Sequence, residues 1–114
     1  MKLEAVYGLM GKKRTVMKII YREANSGKTL ELIKLSAKTR TYIICLNRKR
    51  VDEIVRIANK NSIYIPFPLT LEEFLGHRFY GTRIESVLID NADEIIRALF
   101  RPLNVEAITM TKEG

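Results

Sequence analysis

Several residue types are scarce in this chain of 114 residues, and each scarcity excludes a class of site. Cys45 is the only cysteine, so an internal disulfide and a cysteine-built zinc site are both excluded. His77 is the only histidine and has no acidic or cysteine partner at metal-ligand spacing. No apolar run approaches the ~20 residues of a membrane-spanning helix. Residues 1–15 lack the apolar segment of a secretory signal, so we expect a cytoplasmic protein that does not interact with membranes.

Acidic residues are scarce in one half of the chain only. Residues 1–50 carry 13 lysines and arginines against 3 acidic residues, whereas residues 51–114 carry 7 against 10. The net charge is +7. A positively charged half of this kind fits a phosphate-rich partner such as nucleic acid. An ordinary basic surface also explains the charge, because the spacing shows no nucleic-acid recognition motif.

Apolar residues recur at strand spacing in some segments and at helix spacing in others. Strands are predicted over residues 3–7, 16–21, 41–46, 86–90 and 105–111, and a short strand starts at residue 63 and is ended by Pro66 and Pro68. Helices are predicted over residues 28–38, 71–75 and 91–100, and a further helix runs from residue 51 to near residues 59–62. Thr70 with Glu73 forms a capping box for the helix over residues 71–75. The alternation indicates an α/β fold with a mostly parallel sheet of four to five strands. We expect residues 1–114 to form one domain, with residues 1–15 as a candidate N-terminal hairpin extension.

A glycine-lysine-threonine sequence follows the predicted strand over residues 16–21 and opens a helix. The segment "REANSGKT", residues 22–29, ends as a phosphate-binding loop ends, but Arg22 stands where the first glycine of that loop belongs. Backbone N–H groups at such a helix start attract phosphate. The predicted nucleotide-binding residues are Asn25, Ser26, Gly27, Lys28 and Thr29. A helix N-terminus capped by Ser26, with a chance match to the motif, is the alternative.

Asp90 ends the predicted strand "SVLID", about sixty residues further along the chain. In a parallel sheet, ligands bind beyond the carboxyl ends of the strands, where both Asp90 and the segment before Lys28 are expected to lie. Lys28 is suited to the β- and γ-phosphates of a nucleotide. Thr29 and Asp90 offer the oxygen ligands that Mg²⁺ prefers, and they are the predicted metal-binding residues.

The combination of "SGKT" with "SVLIDNADE" resembles the P-loop NTPases over residues 16–111. That resemblance implies a minimal three-layer αβα domain that binds a nucleoside triphosphate, with ATP the first choice, together with Mg²⁺. Lys28 and Thr29 match the Walker A lysine and hydroxyl, and Asp90 matches the Walker B aspartate. "SGKTLELIKL" also looks like a segment of thymidine kinases. "TLEEFLG" with "VLIDNADE" looks like the matching region of helicase-type ATPases, which complete their site with a second domain or a neighbouring subunit.

The residue after Asp90 bears on hydrolysis. Many hydrolytic members of that superfamily have a glutamate there, which polarises the attacking water, whereas this chain has Asn91. Asparagine can orient a water but cannot take its proton. Two acidic residues are the predicted substitutes: Glu94, one helical turn further on, and the nearby Asp93. Asp90 and Glu94 are the candidate catalytic residues.

Four polar residues, "NRKR" from Asn47 to Arg50, follow the strand predicted over residues 41–46. We expect a polar loop there, at the edge of the sheet that also carries the glycine-lysine-threonine segment. Two interpretations stay open: contact with nucleic acid or with a neighbour's nucleotide, and a solvated loop without a ligand.

The sequence as a whole favours an ATP- and Mg²⁺-binding protein with weak or partner-stimulated hydrolysis. Nucleic acid, a second copy of the chain or another protein are the expected partners. Two alternatives stay open: a nucleotide-binding assembly module that does not hydrolyse its ligand, and a basic DNA-binding protein whose phosphate loop is vestigial.

Overall fold

Short parallel strands and the helices that connect them form the described part of this computed structural model, which covers residues 17–21, 23, 27–76 and 84–111. In chain order the elements are α1 (Lys28–Thr39), β1 (Ile43–Cys45), α2 (Arg48–Lys60), β2 (Leu69–Thr70), α3 (Leu71–Leu75), β3 (Leu88–Ile89) and α4 (Ala92–Leu99). None of these helices is long and apolar enough to cross a membrane.

The sheet in this part of the chain has three parallel strands, with β1 between β2 and β3. All three residues of β1 are buried, as expected for a central strand that is covered on both faces. Because the strands are parallel, their carboxyl ends lie at the same edge of the sheet. We call this the carboxyl edge; it consists of Asn47, Thr70 and Asp90, which end or closely follow the three strands.

The main apolar core lies between one face of the sheet and helices α1 and α2. Side chains alternate along a strand, so Ile43 and Cys45 share this face, while Ile44 lies on the other. In α2 the buried positions are spaced by three and four residues, which puts them on one face of the helix. Each fully buried isoleucine or valine contributes ~1.5–3 kcal/mol of hydrophobic stabilisation. The buried members of this core are Ile33, Ile43, Cys45, Val51, Ile54 and Ala58.

Polar side chains define where two helices begin at the carboxyl edge. The Oδ1 atom of Asn47 accepts a hydrogen bond of 3.0 Å from the backbone N–H of Arg50, and this caps α2. At α3, Thr70 Oγ1 accepts from the N–H of Glu73 at 3.0 Å, while a Glu73 carboxylate oxygen accepts from the N–H of Thr70 at 2.9 Å. The predicted capping box is therefore confirmed.

The α/β class and the parallel sheet are confirmed, but the described residues hold three strands rather than four to five. The strands predicted over residues 16–21 and 105–111 are wrong wherever these residues are described, because residues 17–21 and 105–111 belong to no strand. Apolar and β-branched residues favour an extended backbone, but a strand forms only where a neighbouring backbone completes its hydrogen bonds. The predicted strand over residues 3–7 and the hairpin over residues 1–15 lie outside the described residues.

Several element boundaries also differ from the predictions. The polar loop predicted at residues 47–50 is wrong after Asn47, because the cap lets α2 begin at Arg48. The strand predicted to begin at residue 63 is found at Leu69–Thr70, beyond Pro66 and Pro68, which cannot donate to a ladder. The helices predicted over residues 28–38, 71–75 and 91–100 are confirmed to within one residue at each end.

Candidate functional site

Asp90 is the buried acidic residue of the carboxyl edge. It follows β3 directly, and its backbone N–H donates to the carbonyl oxygen of Ile44 in β1 at 3.0 Å. This bond fixes the Asp90 backbone against the central strand. Only 4% of Asp90 is exposed, so its carboxylate requires a partner that offsets the loss of water.

Arg50, in the first turn of α2, is that partner. Its Nε atom lies 2.9 Å from Asp90 Oδ2 and its Nη2 atom lies 3.0 Å from Asp90 Oδ1, so both carboxylate oxygens are held in a bidentate pair. The third guanidinium nitrogen, Nη1, donates to Glu53 Oε1 at 2.9 Å. The hydrogen bond to Asp90 raises the pKa of Arg50 above its ordinary value, against the opposing effect of burial. The pair therefore keeps Arg50 charged in the folded state.

Cys45 lies close enough to this pair for both charges to act on its thiol, but its environment suppresses reactivity. The side chain is fully buried at the end of β1. Burial raises the pKa of the thiol to about 12, and the negative charge of Asp90 acts in the same direction. The positive charges of Arg50 and Arg48 oppose this shift to a smaller extent. Cys45 is thus a protonated core residue at neutral pH, since only the thiolate is a good nucleophile.

A second ion pair links the starts of α2 and α3. Arg48 Nη2 lies 3.0 Å from Glu73 Oε2, while the other oxygen of Glu73 serves the capping box. The N–H group of Thr70 is the main cause that lowers the pKa of Glu73, and Arg48 adds to the effect. Arg48 and Arg50, only two residues apart, therefore anchor α2 to two different acidic residues at the carboxyl edge.

Gly27, Lys28 and Thr29 lie at the start of α1. Gly27 is the N-cap residue and has a left-handed backbone with φ of 86° and ψ of 7°. Its carbonyl oxygen accepts from the N–H of Glu31 at 3.1 Å, which is the first hydrogen bond of the helix. The earlier N–H groups of the first turn have no acceptor within the helix and point toward its N-terminal end. Lys28 is half-buried and makes no ion pair with any residue in the described ranges. Asn25 and Ser26 lie outside those ranges.

Glu94 and Asn91 follow Asp90 on the way into α4. Asn91 is the N-cap of α4 and has a left-handed backbone with φ of 51° and ψ of 66°. Glu94 is exposed in the first turn, where its N–H donates to the Asn91 carbonyl oxygen at 3.0 Å. No hydrogen bond or ion pair between described residues joins Asp90 to Glu94, Lys28 or Thr29. Among the described residues, the side chain that pairs with Asp90 is Arg50, for which the sequence predicts a polar loop.

No family model, curated protein or solved structure matches this chain.

The sequence did not predict the ion pair of Arg50 with Asp90, because a polar loop and the first turn of a helix are alike in composition at residues 47–50. The available signal was indirect. An aspartate at the end of a buried strand needs a cation or a set of donors, and the segment "NRKR" ends a neighbouring strand of the same parallel sheet. Which of the three basic side chains would reach Asp90 depends on where α2 begins. That start is fixed by the Asn47 cap, which placed Arg50 rather than Arg48 or Lys49 against Asp90.

The predicted Mg²⁺ ligands, Thr29 and Asp90, are of a suitable chemical type, but the described residues do not provide a set of ligands around one ion. A threonine hydroxyl and one carboxylate suit Mg²⁺, which keeps several waters and takes one or two protein carboxylates. The described residues contain no group of three or more potential histidine, cysteine, aspartate or glutamate ligands. Both oxygens of Asp90 are occupied by the Arg50 guanidinium. Because the guanidinium already neutralises this buried carboxylate, Asp90 in the described arrangement is an ion-pair partner rather than a free metal ligand.

A shallow groove of about 350 Å³ adjoins the carboxyl edge. Its walls come from the segment after β1, from α3 and from the end of α4. Leu46, Leu71 and Leu75 give it a largely apolar lining, and Arg101 adds a positive charge. Asn47 of the carboxyl edge also lines this groove.

Proposed function

We propose that this protein binds a nucleoside triphosphate, with ATP the first choice, at the N-terminal end of α1. The observation that carries the proposal is the left-handed Gly27, followed directly by Lys28 and Thr29 in the first turn of the helix. A left-handed residue before a helix turns successive backbone N–H groups toward a common point, which favours an anion. The helix dipole adds to this attraction, and the side chain of Lys28 supplies a full positive charge.

Each of the five predicted nucleotide-binding residues has a role at this site. Asn25, Ser26 and Gly27 offer backbone donors to the phosphates, and Lys28 binds the β- and γ-phosphates. Thr29 offers its hydroxyl to Mg²⁺. Asp90 is the second predicted metal ligand, although it is paired with Arg50 in the described arrangement. Bound Mg²⁺ would neutralise phosphate charge, as it does in nucleotide sites generally.

We expect hydrolysis to be weak or to need a partner. Asn91 can orient a water but cannot accept its proton. Glu94 is exposed in the first turn of α4, where it can approach a ligand, whereas Asp93 in the same turn pairs with Arg97 at 3.2 Å. Nucleic acid, a second copy of the chain or another protein is the proposed stimulating partner, and the proposed location is the cytoplasm.

We propose that this domain is related to the P-loop NTPases and forms a minimal three-layer αβα fold. The parallel sheet and the aspartate at the end of β3 support it. A sheet of four to five strands would need further strands from residues outside the described ranges.

The decisive experiment measures Mg-ATP binding by titration calorimetry. We expect wild-type protein to bind, and Lys28→Ala to weaken binding at least tenfold because the phosphates lose their cation. Lys34→Ala is the matched control: Lys34 lies on the same helix, is exposed, and its loss changes the net charge equally. Equal heats for wild type and Lys28→Ala, or no binding by wild type, would refute the proposal.

A basic nucleic-acid-binding protein with a vestigial phosphate loop is the second candidate, favoured by the 13 basic against 3 acidic residues of the first 50. Lys34, Lys38 and Arg40 of this half are exposed along and after α1. Salt-dependent DNA binding that is unchanged in Lys28→Ala would favour this candidate. Phosphate release with and without single-stranded DNA separates a stimulated ATPase from a nucleotide-binding assembly module that does not hydrolyse ATP.

A further inference from the structure

We propose that the outer surface of helices α1 and α2 binds the phosphate backbone of nucleic acid. The inference rests on the second candidate function, to which it gives a surface, and it does not require a nucleotide at the start of α1. We call this surface the basic face, and its members are Lys34 and Lys38 of α1 and Lys49, Arg56 and Lys60 of α2.

The two helices present one outer surface because they pack side by side on the same face of the sheet. Ile33 of α1 and Ile54 of α2 are buried in the same apolar core as Ile43 of the central strand. The two helices also contact each other directly. Axes of packed helices lie ~8–10 Å apart, so the basic residues of α1 and α2 can contact one extended ligand.

The basic residues of α2 form a stripe on the side of the helix that faces away from the core. Lys49, Arg56 and Lys60 follow one another at spacings of seven and four residues. These spacings put them within about 40° of one another around the helix axis. The buried positions Val51 and Ile54 lie on the opposite side of the helix. All members of the basic face are exposed, so their charges face solvent.

The acidic residues of α1 and α2 leave this positive charge largely uncompensated. Glu31 pairs with Lys18 at 3.5 Å, and Glu53 pairs with Arg50 at 2.9 Å. The remaining acidic residue of the two helices is the exposed Asp52. Within the part of the chain that the structure describes, no member of the basic face makes an ion pair. The basic face is therefore available to an anionic ligand.

Like charges lie next to each other on both helices. Lys34 and Lys38 are four residues apart on α1, and Arg56 and Lys60 are four residues apart on α2. Such neighbours repel each other and destabilise the helix that carries them. A polyanion bound across the basic face would remove this repulsion, so we expect binding to raise the stability of the folded protein.

The side chains of the basic face favour nucleic acid over a protein or a membrane. The large apolar side chains that are exposed among the described residues all lie outside α1 and α2. Protein interfaces and membrane-bound helices use apolar or aromatic anchors, whereas a phosphate backbone needs positive charge and polar contacts. The positive charge is also localised, because the first turns of α3 and α4 are acidic, with Glu72 and Glu73 in α3 and Asp93 and Glu94 in α4.

The test measures binding of a fluorescent DNA duplex of mixed sequence, and of its single strand, by anisotropy at increasing salt. We expect Arg56→Gln/Lys60→Gln to bind at least tenfold more weakly than wild type at low salt, since two phosphate contacts are lost. The slope of log affinity against log salt concentration should fall by about 2, roughly one for each contact. Arg97→Gln/Arg101→Gln is the matched control, because it removes the same charge from exposed positions in and after α4 and should leave the affinity nearly unchanged.

A second variant tests the contribution of α1 to the same surface. Lys34→Gln/Lys38→Gln should also weaken DNA binding at least tenfold, because both helices contact the backbone. Glutamine is a good helix former and each position is exposed, so we expect both double variants to fold, which circular dichroism checks. DNA affinities of both variants equal to that of the control variant would overturn the proposal. Displacement of DNA by polyglutamate or by anionic lipid vesicles at equal charge would also overturn it, since the face would then not favour nucleic acid.

The Lys28→Ala variant separates this inference from the nucleotide proposal. DNA binding that is lost in Arg56→Gln/Lys60→Gln but kept in Lys28→Ala supports the basic face, whether or not the protein binds ATP. ATP binding by a wild-type protein that does not bind DNA would overturn the basic face and leave the nucleotide site standing.

Discussion

The Arg50–Asp90 pair predicts a large and strongly non-additive effect on stability. The perturbation is a double-mutant cycle with near-isosteric neutral replacements: Arg50→Gln, Asp90→Asn and the double variant. Each single change leaves one charged partner behind in a partly buried site. The double change leaves no charge, and its two amides can hydrogen-bond to each other.

The magnitudes follow from the burial of each partner. Removing one member of a fully buried ion pair costs ~3–5 kcal/mol. Because Arg50 is 20% exposed, water replaces part of the loss, and we expect about 2–4 kcal/mol for Arg50→Gln. Asp90→Asn should cost less, about 1–3 kcal/mol, since the stranded guanidinium keeps Glu53 and some water. The double variant should cost about 2 kcal/mol, so the middle of the two single-variant ranges, about 3 and about 2 kcal/mol, gives a coupling free energy of about 3 kcal/mol.

Urea unfolding followed by circular dichroism measures the four free energies. The dependence on denaturant must be the same for all four proteins, so that a shift of the midpoint reports stability alone. Arg48→Gln is the reference, because it removes the exposed ion pair with Glu73. It should lower the free energy of unfolding by less than about 1 kcal/mol. Single-variant effects that add to within about 0.5 kcal/mol would refute the coupling, and with it the bidentate pairing of Arg50 with Asp90.

Two further predictions concern groups beside this pair. The Cys45 thiol, whose pKa is raised to about 12 mainly by burial, should react with a disulfide reagent at pH 8 only as fast as the protein opens; rapid reaction in native conditions would contradict its burial. The lowered pKa of Glu73 contributes stability that is present above its unfolded value of 4.5 and is lost as pH falls through the folded value. Glu73→Gln keeps the capping box but cannot titrate, so its unfolding free energy should fall less steeply between about pH 5 and pH 3. Identical slopes in acid titrations of both proteins would show that Glu73 is not stabilised as the structure indicates.

Local sequence signals predicted much of the fold because they act within one helix or one strand. The α1 helix, the capping box of Thr70 and Glu73, and the start of α4 after Asp90 all follow from spacing and capping residues within a few positions. The parallel sheet also followed from the alternation of strands and helices. Strand length did not, because a strand extends only as far as its neighbour pairs with it, and pairing is a property of the whole sheet.

The sequence predicted where Asp90 lies in the candidate site, but not which side chain contacts it. The position of Asp90 at the carboxyl edge came from the order of elements, whereas its ion pair joins residues forty positions apart. Three basic residues in a row made the partner ambiguous, and a side-chain cap on a neighbouring residue decided it. The predicted roles of Lys28, Thr29 and Glu94 depend on a ligand and stay predictions.

The left-handed backbone of Asn91 constrains the order in which substitutions can accumulate at this site. Asparagine is enriched among non-glycine residues with positive φ, whereas glutamate pays about 1–2 kcal/mol for the same conformation. An Asn91→Glu change, which would add a proton acceptor next to Asp90, therefore begins with a loss of stability. If the proposed hydrolysis were under selection, a mutational path toward that new carboxylate would first have to gain stability elsewhere, or relax the turn between β3 and α4.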